Sequence, residues 1–219
     1  MEKREEEMNK TKKAIFNAAI KVFSIEGYDS ATVDEIASEA GVAKGTLYYN
    51  FKGKEEIFKF VIDEGMKVIK SEVLDAIKEI GDPLEKLKIS AKVQLRYVYK
   101  NKEFFRVIMS QIWGDKNRHQ EMRQELRRLV NINSNRINDI TKGKADKEAL
   151  EVMGCCFVGM LFSSALYEIL YDDQYSENHI VYRFMEYVNF EIDNIYEYKK
   201  YYLFSCFLSY IYFVKCNSH

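Results

Sequence analysis

The chain contains few residues that interrupt helices and few that hold metal ions. Its 219 residues include one proline, Pro83, and ten glycines, so few positions force a helix to stop. The three histidines are scattered along the chain and form no metal-binding pattern. The four cysteines, at positions 155, 156, 206 and 216, form no CxxC motif. We therefore expect buried, reduced thiols, no metal and no cofactor.

The chain also lacks an excess of charge of either sign. Its 33 lysines and arginines nearly balance its 34 aspartates and glutamates, and the formal net charge is −1. A general basic surface is absent, which excludes a protein that coats nucleic acid without sequence preference. The chain shows no strand-like alternation, no repeat and no low-complexity linker. The N-terminus carries no signal peptide, so a cytoplasmic protein without a membrane anchor is expected.

The segment from Thr32 to Lys54 predicts a helix-turn-helix that reads the DNA major groove. Thr32 and Glu35 have the spacing of a capping box, which starts a short helix. Gly41 supplies the left-handed conformation that ends this helix. Leu47 and Phe51 are four residues apart, so they anchor the next helix, over residues 44–50, to the core.

The face of this second helix opposite Leu47 carries the residues expected to touch DNA. Glycine allows a close backbone approach, threonine and tyrosine offer hydroxyls to phosphates, and lysine adds positive charge. The first short helix is expected to contact the DNA backbone at its start. The predicted DNA-binding residues are Thr32, Val33, Lys44, Gly45, Thr46, Tyr48, Tyr49 and Lys54.

The helix before this motif, from Thr11 to about Gly27, has one apolar stripe and supports the other two. The region from about Thr11 to Phe60 resembles the DNA-binding domain of TetR/AcrR-type transcriptional regulators. One departure is Ala43, where many relatives have a capping serine. The matching residues are Ala18-Ala19, Val22-Phe23, Gly27-Tyr28, Thr32-Val33, Ile36-Ala37, Ala40-Gly41-Val42, Gly45-Thr46-Leu47-Tyr48, Phe51 and Lys54.

This resemblance implies an all-α homodimer, most often a repressor that a small molecule releases from its operator. We accordingly expect a three-helix N-terminal DNA-binding domain over residues 1–53. A larger helical regulatory and dimerisation domain is expected over residues 54–219. No nucleophile and base, metal set or phosphate loop supports the rival prediction of a helical small-molecule enzyme. A helical interaction module that does not bind an operator is the second rival.

Helical spacing predicts the elements of the second domain. A connecting helix spans residues 54–80, and Gly81, Asp82 and Pro83 mark its end and the start of the next helix. Asp115, Asp146 and Ser176 are plausible caps of later helices. The further helices are expected at about 83–100, 102–113, 115–141, 147–172 and 177–198.

The predicted helix over residues 147–172 is apolar nearly all round and must be buried on more than one side. Gly154, Gly159, Ser163 and Ser164 would let another helix approach closely. The last two long helices form the dimer in the family that the chain resembles. A core helix of a monomer is the alternative.

An aromatic and Met-rich group is the candidate site for a small apolar or aromatic effector. Such a stripe is more often plain core, and the sequence alone favours that interpretation. The candidate ligand-binding residues are Met66, Tyr97, Phe104, Phe105, Met109, Trp113, Phe157 and Met160.

The tail over residues 199–219 is unusually aromatic. Its apolar run, residues 201–214, is shorter than the roughly 18–20 residues that span a bilayer. Three interpretations stay open: the tail continues the last helix onto the body, docks in its own groove, or is a non-native extension. A membrane anchor is a lesser alternative.

Overall fold

The computed structural model describes residues 2–111, 118–171 and 176–194, and within these ranges the chain is helical without a strand. The predicted all-α fold is confirmed. The tail over residues 199–219 lies outside the described residues. In chain order the helices are α1 (Glu2–Ser30), α2 (Val33–Glu39), α3 (Lys44–Asn50), α4 (Lys54–Ile77), α5 (Pro83–Lys100), α6 (Lys102–Gln111), α7 (Arg118–Thr141), α8 (Lys147–Tyr171) and α9 (Glu177–Asn194).

Side-chain caps fix several of these helix starts where the sequence predicts them. The Asp82 carboxylate accepts the Glu85 N–H at 2.9 Å, and Asp146 accepts the Ala149 N–H at 2.9 Å. Ser176 Oγ accepts a longer bond, 3.4 Å, from the His179 N–H. Asp115 lies outside the described residues. Each cap satisfies a backbone donor that the first turn leaves unpaired, so α5, α8 and α9 begin as predicted.

Two helix boundaries differ from the prediction. The first helix starts at Glu2 instead of Thr11, because residues 2–10 are mostly good helix formers with no proline to stop them. Its regular turns end at Gly27, which has a φ of 75° and a ψ of 163°. The connecting helix α4 ends at Ile77 instead of Ile80, whose N–H closes a turn on the Ile77 carbonyl.

One compact unit contains the described residues of Met1–Ala76 and Tyr97–Leu126. Within it α1 packs on α2 and on α6, and α2 packs on α3. An aromatic cluster joins α1 to α4 in this unit, where the ring centroids of Phe23, Tyr28 and Phe58 lie 5.1 to 5.6 Å apart. The division into residues 1–53 and 54–219 stays a prediction about function. The compact unit is defined by packing contacts instead, and these contacts group α4 and α6 with the first three helices.

The other unit contains the described residues of Ile77–Arg96 and Arg127–His219. Its core, called here the four-helix core, joins apolar side chains of α5, α7, α8 and α9. Gly154 makes the predicted close helix approach, and α7 is the neighbour: an added Cβ would overlap Ser134 Oγ and lie 2.8 Å from the Val130 carbonyl oxygen. The buried members are Leu87, Ala91, Leu95, Ile137, Ile140, Phe157, Leu161, Val181 and Val188.

The cysteines of α8 differ from the predicted buried thiols. Cys155 is exposed and Cys156 is half-buried, and neither is in a disulfide. Partial burial raises the pKa of the Cys155 thiol, and Cys156 and Glu151 add to the rise. The prediction was wrong for Cys155 because an apolar sequence on all sides of a helix does not reveal which side a single chain covers. Cys206 and Cys216 lie outside the described residues.

Among the helices in the described ranges, none combines the length and the apolar character needed to cross a membrane.

Candidate nucleic-acid interface

The predicted capping box at the start of α2 is present in both directions. The Glu35 N–H donates to Thr32 Oγ1 at 3.2 Å, and the Thr32 N–H donates to a Glu35 carboxylate oxygen at 2.8 Å. The Thr32 hydroxyl also donates to this carboxylate at 2.8 Å. These donors stabilise the charged form, so they lower the pKa of Glu35, the hydroxyl contributing most. The start of α2 is therefore fixed by its own sequence.

The turn and the inner side of α3 hold the second short helix in place. Gly41 has a φ of 65°, the left-handed conformation predicted for it, and the Val42 N–H donates to the Ala37 carbonyl at 3.0 Å. Leu47 is 0% exposed and Phe51 is also buried, as their spacing predicts. With this side anchored, the orientation of the opposite face of α3 is set.

That outer face of α3 is open to solvent. Tyr49 is 84% exposed and Tyr48 is 49% exposed, which is unusual for side chains with so much apolar surface. Lys44, Gly45 and Thr46 are exposed on the same short helix. The exposed side of α3 formed by Lys44, Gly45, Thr46, Tyr48 and Tyr49 is called here the α3 surface. It offers two aromatic rings, hydroxyl groups, a cation and a glycine whose backbone is accessible. Their types match groups that contact phosphates and base edges.

The start of α3 lacks a side-chain cap, because Ala43 at the N-cap makes no such hydrogen bond. Lys44 instead pairs with Asp34 of α2, with Nζ 2.6 Å from a carboxylate oxygen, and lies 6.0 Å from the Tyr48 ring centroid. The hydrogen bond to Asp34 raises the pKa of Lys44. Both side chains are well exposed, so this ion pair adds little to the stability of the fold.

Lys54 differs from the solvent-facing side chain that the sequence suggests. It is half-buried, and its ammonium donates to the backbone carbonyls of Asp29 at 2.8 Å and Ala31 at 2.7 Å. It also lies 4.8 Å from the ring centroid of Tyr28. Both carbonyls lie close to the C-terminal end of α1, just beyond the break in helical backbone at Gly27. Lys54 therefore joins the chain just before α2 to the start of α4.

The two remaining predicted contacts lie at the start of α2. Thr32 is exposed and Val33 is half-buried. Both follow directly on Ala31, whose carbonyl Lys54 holds. Sequence reasoning missed Asp34 as the partner of Lys44, although its position in the first turn of α2 was a usable signal.

The predicted effector residues fall into different parts of the chain. Tyr97, Phe104 and Phe105 meet edge to face, with centroid distances of 5.6 to 6.4 Å. Burial, helped by the charge of Glu72, raises the pKa of Tyr97 to about 12. Met66 and Met109 are half-buried in the same compact unit.

The rest of that predicted set does not join this cluster. Phe157 is buried in the four-helix core, and Met160 packs against that core, so both belong to the other unit. Trp113 lies outside the described residues.

Sequence reasoning missed Gly65 of α4 as the partner of the aromatic cluster. The Tyr97 hydroxyl donates to its carbonyl at 3.1 Å, and an added Cβ would overlap the Phe104 ring. The available signal was a glycine in the interior of the predicted connecting helix, which can mark a close packing approach.

Comparisons with known proteins agree with this architecture. The sequence profile of bacterial regulatory proteins of the tetR family matches residues 15–61. The fatty acid metabolism regulator protein of Bacillus subtilis is 35% identical over 129 residues, which are 59% of this chain and 59% of that protein. The chain spans between 26% and 59% of the length of the curated relatives it matches.

Solved structures extend the similarity over most of the chain. A candidate fatty acid metabolism regulator of Clostridium perfringens is 38% identical, with 83% of this chain and 96% of that chain covered and a TM-score of 0.71. The transcriptional regulator FadR of Bacillus subtilis, solved in complex with stearoyl-CoA, is 21% identical. The match covers 79% of this chain and 95% of the FadR chain, with a TM-score of 0.67. The two proteins therefore share the fold.

Proposed function

This chain belongs to the TetR family of bacterial regulatory proteins, and we propose that it is a homodimeric repressor of a palindromic operator. A small apolar effector releases it from the DNA. The observation that carries the proposal is the α3 surface. Its tyrosines are exposed while buried Leu47 and Phe51 anchor the opposite side, so the helix presents the tyrosines to a partner. An operator-binding protein of this kind works in the cytoplasm.

Two of the similar proteins are named as regulators of fatty acid metabolism, which supports a binding function. The described residues also contain no group of three or more His, Cys, Asp or Glu side chains arranged to hold a metal ion. The enzyme and the interaction module remain rivals that the experiment below separates.

The outer side of α8 supports the proposed dimer. Val152, Cys155, Gly159, Leu166 and Leu170 are all exposed in the single chain. Their spacings of three, four, seven and four residues are whole helical turns, so these side chains form one face. Leu170 is 65% exposed, and an added Cβ at Gly159 would meet nothing within 4 Å. A second copy covers this face in our proposal, with α9 beside it.

The proposed effector has a long apolar chain, as a fatty acid or its coenzyme A thioester has. Two similar proteins are named as fatty acid metabolism regulators, and FadR of Bacillus subtilis was solved with stearoyl-CoA. In this chain the buried cluster of Tyr97, Phe104 and Phe105 supports an apolar site, and α6 carries two of these rings while packing on α1. A ligand that moves α6 would therefore move a helix of the DNA-binding region.

The test is a gel shift and footprint on the DNA upstream of the protein's own gene, with and without decanoyl-CoA. We expect protection of two symmetric half-sites about one helical turn or more apart, roughly 34–36 Å for a single turn. The ligand should release the complex. Protection of a single asymmetric half-site would overturn the dimeric operator model, and no binding to any upstream fragment would favour the rival classes.

A further inference from the structure

The two short helices of the DNA-binding region carry more negative than positive charge. α2 contains three acidic residues, Asp34, Glu35 and Glu39, whereas the only charged residue of α3 is Lys44. A DNA surface gains most of its sequence-independent affinity from cations that neutralise phosphates. Three carboxylates so close to a single ammonium oppose that affinity, and the partners of each carboxylate show which of them the fold requires.

Two of the three carboxylates hold α2 in place. Glu35 closes the capping box, where its carboxylate accepts the N–H and the hydroxyl of Thr32, each at 2.8 Å. Glu39 pairs with Lys21 of α1, with 2.6 Å between Nζ and a carboxylate oxygen, and so joins α2 to α1. Neither contact involves a residue of the α3 surface.

Asp34 has its partner on the α3 surface. Among the described residues its carboxylate accepts one hydrogen bond, from the Lys44 ammonium at 2.6 Å, and both side chains are 58% exposed. The carboxylate fixes where the ammonium lies, 6.0 Å from the centroid of the Tyr48 ring. Asp34 therefore places a negative charge at the edge of the α3 surface and restrains the cation that this surface offers to DNA.

We propose that Asp34 is a specificity-determining residue, which limits binding to DNA other than the operator. The inference rests on the proposed function, because it concerns the same α3 surface. On arbitrary DNA a phosphate must compete with Asp34 for the Lys44 ammonium, and the carboxylate repels the phosphates nearest to it. On the operator an acceptor lies where Asp34 holds Lys44, and base contacts of Tyr48 and Tyr49 offset the repulsion.

The test measures the affinity of the full chain for two duplexes of equal length, the upstream fragment protected in the footprint and a random sequence. Asp34→Asn keeps the size of the side chain and removes its charge. We expect it to bind the random duplex about threefold or more tightly than the parent does, with a smaller change on the operator. Since a released Lys44 neutralises one more phosphate, the salt slope on the random duplex should steepen by about one unit.

Glu39→Gln is the matched control, because it removes one negative charge of α2 from another exposed ion pair of 2.6 Å. This variant should keep the parent's ratio of operator to random affinity and its salt slope. Lys44→Gln is a second background, in which adding Asp34→Asn should no longer steepen the salt slope. Asp34→Asn itself should unfold within about 3 °C of the parent, as expected for an exposed ion pair.

An Asp34→Asn protein with the parent's affinity ratio and salt slope would overturn the inference. Equal changes in Glu39→Gln would also overturn it, since they would mean that net charge alone sets the ratio. A clear loss of stability in Asp34→Asn would assign the carboxylate to the fold instead. A parent that protects no upstream fragment contradicts the proposed function, and this inference then falls with it. A parent that protects the operator while Asp34→Asn leaves the ratio unchanged contradicts this inference alone.

Discussion

At the scale of single residues, Lys54 shows how one side chain can serve the fold and a DNA surface together. Its ammonium lies within 2.8 Å of two backbone carbonyls, from Asp29 and Ala31, on the stretch that leads into α2. Lys54 itself begins α4, so this contact closes the ends of the segment that contains α2 and α3. The position of the α3 surface depends on this closure as well as on the buried Leu47.

Lys54 and Tyr49 should therefore respond differently to substitution. Lys54→Met removes two charge-assisted hydrogen bonds, so we expect a loss of about 1–3 kcal/mol in the free energy of unfolding together with weaker operator binding. Tyr49→Ala should weaken operator binding without loss of stability, because its ring is 84% exposed. Urea unfolding and gel shifts at matched salt measure both quantities. A Lys54→Met protein as stable as the parent would contradict the carbonyl contact.

Glu35 gives a pH dependence with a definite sign. Hydrogen bonds from Thr32 lower the pKa of its carboxyl in the folded state. The stabilisation is therefore complete above the unfolded pKa of about 4.3, and is lost as the pH falls through the folded value. Glu35→Gln keeps an amide oxygen as an acceptor but cannot titrate. We expect the parent to lose stability relative to this variant as the pH falls. Urea unfolding at several pH values measures this difference. A constant difference between them at all pH values would be the contrary result.

At the scale of helices, two glycines with the same helical propensity have opposite surroundings. Gly65 in α4 lies against Phe104 of α6, where an added Cβ would be 2.5 Å from ring carbon Cε2 and 2.8 Å from Cε1. Gly45 in α3 has nothing within 4 Å of the same position. Helix propensity favours alanine at both sites by up to about 1 kcal/mol, so only packing distinguishes them.

Gly65→Ala should accordingly destabilise the protein by about 1–3 kcal/mol, because the Phe104 ring must move. Phe104→Leu in the same chain should recover part of the loss, which a double-mutant cycle measures. Gly45→Ala is the matched control and should raise the thermal unfolding temperature slightly. If alanine stabilises both positions equally, α4 and α6 do not meet at Gly65.

At the scale of the whole molecule, two glycines of α8 distinguish a contact within the chain from a proposed contact between chains. Gly154 faces Val130 and Ser134 of α7, whereas Gly159 is open in the single chain. Gly154→Ala should therefore lower the stability of each subunit by about 1–3 kcal/mol through overpacking. Gly159→Trp should leave the subunit folded and block the second copy.

Light scattering with gel shifts tests this pair of substitutions. We expect Gly159→Trp to be monomeric at concentrations where the parent is dimeric, and to bind the operator more weakly although α3 is unchanged. Gly154→Ala should stay dimeric while it unfolds at a lower temperature. A Gly159→Trp protein that dimerises as the parent does would mean that the dimer forms through another face.

The sequence by itself determined where most helices start and stop, and which sides of α2 and α3 point inward. Thr32 with Glu35, Gly41 and Asp82 act through hydrogen bonds and backbone conformations within a few residues, so their effect is readable from local order. The same holds for Leu47, because helical periodicity puts it on the side of Phe51. The exposed outer face of α3 followed from this alone.

Only the tertiary structure decided which distant groups meet. Lys54 finds its carbonyls 25 and 23 residues earlier in the chain, and Tyr97 finds the Gly65 carbonyl 32 residues earlier. It also decided which side of the uniformly apolar α8 stays open, since Gly154 is covered by α7 and Gly159 is not. Such contacts depend on how helices pack against each other, and a pattern with a period of 3.6 residues carries no information about which neighbour a face will meet.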